Sequence, residues 1–85
     1  MKRYRAVIVE WLDTNSQSEW ATLEGLPSPA SCTSHGRLVV DEPDYVVLCG
    51  SIADGEDDDE RFGDATAIPR GCIVRIRTVR ERRSK

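Results

Sequence analysis

The sequence predicts a mainly β domain: a small five-stranded barrel of the SH3-like or Sm-like kind, or a rolled sheet, with at most one short helical turn near residues 18–26. Three observations predict it. The apolar residues come in short runs rich in Val, Ile, Tyr and Trp, which suit a pleated surface. Clusters of Gly, Pro, Asp, Asn and Ser separate those runs and favour turns. The 85 residues make one domain with a modest core, and rolling a five-stranded sheet up removes the two adhesive edges that an open one exposes.

The first strand is expected over residues 4–12, where Val7, Ile8, Val9 and Trp11 are β-branched or aromatic. Residues 13–18 are polar and turn-forming. Trp20, Leu23 and Leu26 then recur at i, i+3, i+6, a spacing that suits one or two helical turns capped by Ser18, or a short strand and a turn. Pro27 and Pro29 end that element, because proline cannot continue a helix or donate to a sheet ladder. A second strand follows over 31–40, with Gly36 a candidate bulge. Asp41-Glu42-Pro43-Asp44 is a turn, and a third strand over 45–52 completes a hairpin. A fourth, short strand is expected over 65–68, a turn or single 3₁₀ turn over 69–71, and a last strand over 72–79.

Residues 1–79 therefore form the domain, with an acidic loop at 53–64, and residues 80–85 form a basic polar tail. The expected core is Ala6, Ile8, Leu12, Leu23, Leu26, Leu38, Val40, Val46, Leu48, Ile52, Ile68, Val74 and Ile76. Runs such as Val7-Ile8-Val9 and Val39-Val40 are apolar on both faces, which points to a second contact, either another copy of the chain or the short helical turn. No apolar run approaches the roughly 18 residues of a membrane span, and the segment 6–9 is too short for a signal-peptide core, so a cytoplasmic protein without a membrane partner is expected.

The net charge of −3 is unevenly spread: the two ends are basic and the middle acidic. The acidic loop fails the register of a helix-loop-helix calcium site, since Asp59 stands where glycine is needed and Ala65 where the last carboxylate is needed. It reads as a solvated, self-repelling loop, with phosphate mimicry the sharper alternative. Cys32, His35, Cys49 and Cys72 include only one pair at zinc-knuckle spacing, so no metal site and no cofactor are expected. A strand would put Cys32 and His35 on opposite faces, which removes them as a nucleophile and base. No glycine spacing makes a phosphate cradle, and no enzyme is expected.

Two candidate binding sets remain. Arg3, Arg5, Arg75 and Arg77 would gather on one face if the first and last strands pair, and arginine grips phosphate in bidentate fashion. Tyr4, Trp11 and Trp20 are candidate aromatic anchors for a base or a protein partner.

The ordered elements Trp11-Leu12-Asp13, Trp20 with Leu23, Cys32-x-Ser34-x-Gly36-x-Leu38-Val39, the hairpin at 41–48, and Ile68-Pro69-Arg70 with Ile73 and Ile76 resemble those of small proteins encoded by bacteriophages and prophages. They cover the chain from about residue 8 to residue 76. The sequence departs from that pattern at residues 35–37 and in the length of its acidic loop. The resemblance implies a phage accessory protein with a small SH3-like or Sm-like barrel, working in the host cytoplasm, with a host defence component among the partners it suggests. It carries over no functional residue.

The functional expectation is a non-enzymatic binding protein acting through protein–protein interaction or self-association, as a homo-oligomer or on a host protein. The alternatives are an Sm-like binder of nucleic acid or nucleotide using the basic face, and a structural barrel with no ligand.

Overall fold

The computed structural model describes residues 4–53, 55 and 59–80. Among these residues the chain forms five antiparallel strands: β1 (Ala6–Asp13), β2 (Ala30–Asp41), β3 (Tyr45–Ala53), β4 (Arg61–Pro69) and β5 (Ile73–Thr78). They make one sheet in the order β4-β3-β2-β1-β5. Among the described residues the sheet is open: β4 and β5 are its two edges and do not pair with each other. The only helical turns among those residues are two short 3₁₀ turns, Leu23–Gly25 and Arg70–Cys72.

Alternation along the strands sends one set of side chains into a single core. Val7 and Val9 of β1, Leu38 of β2, Val46 and Leu48 of β3 and Ile68 of β4 are buried together. Trp11, Cys72, Ile73 and Ile76 pack against them, half-buried. Val9, Val46 and Ile68 have no exposed surface at all, although no second layer of helix or sheet covers this face among the described residues. The sheet therefore curves so that its own edge strands shelter the core. The 3₁₀ turn Arg70–Cys72 helps, since it packs against both β1 and β3 and its Arg70 N–H donates to the Asp44 carbonyl in the β2–β3 turn at 2.8 Å.

The strand order follows from the hairpins. β1 and β2 pair continuously from Ala6↔Arg37 to Asp13↔Ala30, and β3 pairs with β4 from Tyr45↔Pro69 to Ala53↔Arg61. β5 returns to lie beside β1, Val9 opposite Ile76 and Glu10 opposite Arg75. Gly36 is not the bulge of β2. It pairs regularly with Val7, and the shift falls between Leu38 and Val40. Space at 36 is tight instead: a Cβ there would meet the Cys49 carbonyl oxygen at 3.0 Å and Leu48 Cβ at 3.3 Å.

The structure corrects several expectations about the core. In β1 the inward residues are Val7 and Val9, while Ala6 and Ile8 stand half-buried on the other face and Leu12 is exposed. Leu23 and Leu26 are exposed, not core, and so is Val74, the residue without a register partner where β5 shifts against β1. Val40 and Ile52 are only half-buried. Segment 19–26 holds a single 3₁₀ turn preceded by Thr22, with no side-chain cap, so Ser18 caps nothing there. β4 is longer than expected, starting at Arg61, which places the end of the expected acidic loop inside a strand. Residues 54 and 56–58 of that loop, Arg3 and the tail from residue 81 lie outside the described residues.

Candidate binding surfaces

The face of the sheet opposite the core carries the charged side chains of β1 and β5. Glu10, opposite Arg75 across the β1–β5 ladder, accepts hydrogen bonds at one oxygen, Oε2, from Arg75 Nε at 2.8 Å and Nη2 at 2.5 Å. Arg77 Nε lies 4.0 Å from the same oxygen. Two of the four expected basic residues thus meet here, brought together by the two-residue period of β5, and a carboxylate already sits between them.

Arg5 belongs to a different cluster. Its guanidinium lies 3.7 Å from Asp41 Oδ2. The other carboxylate oxygen of Asp41 accepts from Arg70 Nη2, which also donates to the Glu42 carbonyl at 2.9 Å. Asp41 therefore ties the start of β1 and the 3₁₀ turn before β5 to the β2–β3 turn. All these side chains are at least one-third exposed, so the cluster orients the turn more than it stabilises the fold.

The three expected aromatic anchors go to three places. Trp11 lies on the core face, and its indole N–H donates to Ser34 Oγ at 2.9 Å. Tyr4 packs edge-on to Phe62, ring centres 6.0 Å apart, and its hydroxyl donates to Glu60 Oε1 at 3.3 Å. Desolvation and then the Glu60 carboxylate raise the Tyr4 phenol above its ordinary value. Glu60 Oε2 is buried and has no partner among the described residues.

Trp20 is fully exposed, at 102% of its reference surface. It stands on the connection 14–29 between β1 and β2, together with Leu23 at 85% and Leu26 at 56% exposure. The base of this arm is tied by Asn15 Nδ2, which donates to the Ser28 carbonyl at 3.0 Å. Its tip is shaped by Gly25 N–H donating to the Thr22 carbonyl at 2.9 Å. The i, i+3, i+6 spacing of its apolar residues was visible in the sequence, and the exposure of all three was not.

Cys32 and His35 fall on opposite faces of β2, Cys32 half-buried opposite Trp11 and His35 exposed opposite Ile8. All three cysteines are free thiols. Among the described residues no three His, Cys, Asp or Glu side chains gather as a metal-binding group. No helix among them is long and apolar enough to cross a membrane.

Comparison of the chain with family models, curated proteins and solved structures finds no match in any of the three.

Proposed function

We propose that this chain is a non-catalytic binding protein that works by associating with other protein, in the first place with copies of itself, edge to edge. The observation that carries this reading is the contrast between the two open edges. The β4 side bears Asp59, Glu60 and Asp64 against the single Arg61, whereas β5 and the two described residues after it, Val79 and Arg80, bear Arg75, Arg77 and Arg80 without an acid. Each edge presents unpaired backbone N–H and C=O groups, the natural template for another strand. An acidic edge on one copy and a basic edge on the next make a head-to-tail contact, which closes into a ring when the rotation between copies allows. On this reading the open, curled sheet is an SH3-like or Sm-like barrel left unclosed between β4 and β5, and pairing between copies supplies the missing neighbour. The clusters at Glu10 and Asp41 are internally paired and so favour structural roles over catalysis.

Sedimentation velocity across a wide concentration range, repeated at low and high salt, tests the reading. Association that weakens with salt is expected, because screening acts on exposed opposite charges. Val74→Glu places a carboxylate on the basic edge at an exposed position and should reduce association without unfolding the chain. A strict monomer at every concentration removes the reading.

A second reading has its own observation. Arg75 and Arg77 converge on one carboxylate oxygen, a spot of the size and charge of a phosphate oxygen. An Sm-like nucleic acid or nucleotide binder would place a phosphate there in place of Glu10.

A further inference from the structure

We infer that the arm 14–29 is a clasp that lays Trp20, Leu23 and Leu26 on a second copy of this chain, across the face of its β5 strand. This inference rests on the self-association reading and names a surface that edge pairing alone does not use.

The arm carries a large apolar surface, and no described residue of its own chain buries it. Trp20, Leu23 and Leu26 are all more than half exposed. The backbone that carries them is nevertheless restrained by Pro27, Pro29, the Asn15–Ser28 hydrogen bond and the 3₁₀ turn. A restrained arm loses less entropy on docking than a free one. Tryptophan is also the side chain most enriched where binding energy concentrates.

Charge selects the second copy as the occupant. The arm's only ionisable residues are Glu19 and Glu24, next to Trp20 and Leu23. On β5, exposed Val74 stands next to Arg75, with Arg77 two residues on, and exposed Val79 and Arg80 follow just beyond the strand's end. Glu10 is the only carboxylate within 4.0 Å of any of these arginines among the described residues. The acidic rim of the arm fits that basic, partly apolar strand, and it disfavours an anionic lipid surface. Both contacts fit on the same β5, because edge pairing uses backbone groups in the plane of the sheet while side chains stand perpendicular to it.

Position is consistent as well. The pairs Asp13↔Ala30 and Ala53↔Arg61, connected through Arg37↔Cys49, put the root of the arm and the start of β4 at the same end of the sheet. A neighbour docked along β4 is thus within the arm's side of the molecule. An edge contact alone is small beside the roughly 800 Å² per partner of a stable interface, and one aromatic side chain adds about 150–250 Å².

The test combines light scattering with fluorine NMR and acrylamide quenching on the full chain labelled with fluorotryptophan, the Trp20 resonance being assigned with Trp20→Phe. Association with Trp20 shifted and several-fold less quenchable in the assembled species than in the dilute one supports the clasp. Trp20→Ala should then weaken association roughly tenfold or more. Glu19→Arg with Glu24→Arg should weaken it too, and mixing that chain with one carrying Arg80→Glu should recover part of the loss. Association with Trp20 still fully quenchable overturns the clasp and leaves edge pairing standing. Trp20 protected even in the dilute monomer overturns it by assigning the arm to its own chain. Trp20 protected by zwitterionic vesicles but not by assembly overturns it in favour of a lipid surface. No association at any concentration overturns the edge reading first, and the clasp with it.

Discussion

Glu10 holds Arg75 by two hydrogen bonds to a single carboxylate oxygen, across the ladder between the first and last strands. Both side chains keep substantial solvent exposure, so Coulomb attraction between them is largely screened. Glu10→Gln should therefore change stability by no more than about 1 kcal/mol, measured as a urea midpoint. Its effect on recognition should be larger if phosphate is the ligand, because the substitution frees two adjacent arginines. Binding of a short single-stranded oligonucleotide should then tighten at low salt and fall linearly in log–log form as salt is added. Unchanged, negligible binding in the variant eliminates the phosphate reading.

The facing of β1 is tested by a pair of truncations one residue apart. Val9 is completely buried and Ile8 only half-buried on the opposite face. Val9→Ala should cost about 2–3 kcal/mol and Ile8→Ala about 1 kcal/mol in the monomer, although the second removes more atoms. Chemical denaturation at low protein concentration checks the order. A larger loss for Ile8→Ala would mean that the strand presents its other face to the core.

That reversal of β1 shows where the sequence stops being informative. Val7, Ile8 and Val9 are all β-branched, so a two-residue period fits either face equally well. What distinguishes the faces is their tertiary surroundings: Val7 and Val9 pack with Leu38, Val46, Leu48 and Ile68, residues distant in sequence. The positions of the strands were legible because Pro27, Pro29 and the Asp41–Asp44 turn punctuate them. The early start of β4 was hidden, since Arg61, Gly63 and Asp64 have poor strand propensity and are extended by their pairing with β3. Of the candidate site, the shared face of Arg75 and Arg77 was legible from alternation. Their carboxylate partner, Glu10, lies on β1 and could be found only once that strand was paired with β5. The solvent exposure of Trp20 was likewise illegible, because helical spacing of apolar residues describes core and docking surfaces alike.

Gly36 of β2 lies against the backbone and side chains of β3 at Leu48 and Cys49. A methyl group there would press on the Cys49 carbonyl oxygen, a backbone atom that moves only if the strand moves. Gly36→Ala should destabilise the chain by about 1–3 kcal/mol. Gly71→Ala is the matched control, because a Cβ at that position meets nothing within 4 Å, and it should be close to neutral. Thermal unfolding of the two variants side by side separates them. Equal effects would show that the close approach at Gly36 does not constrain the fold.

Cys49 provides a probe of the core that responds to pH. Burial pushes its thiol above the ordinary value, because the thiolate is disfavoured away from water. The folded state therefore holds this proton more tightly than the unfolded chain does. The associated stability is fully present below the unfolded thiol range near ~8.5 and is lost as pH rises through the higher folded value. A Cys49→Ala chain should show a shallower fall in urea midpoint between neutral and alkaline pH than the parent. The raised Tyr4 phenol contributes a loss of the same sign at higher pH in both chains. Reactivity follows the same physics. The thiolate is the nucleophile, so iodoacetamide should modify half-buried Cys32 and Cys72 well before Cys49 in the folded chain, and mass spectrometry of partially labelled protein reads the order directly. Early modification of Cys49 would place it outside the packed interior.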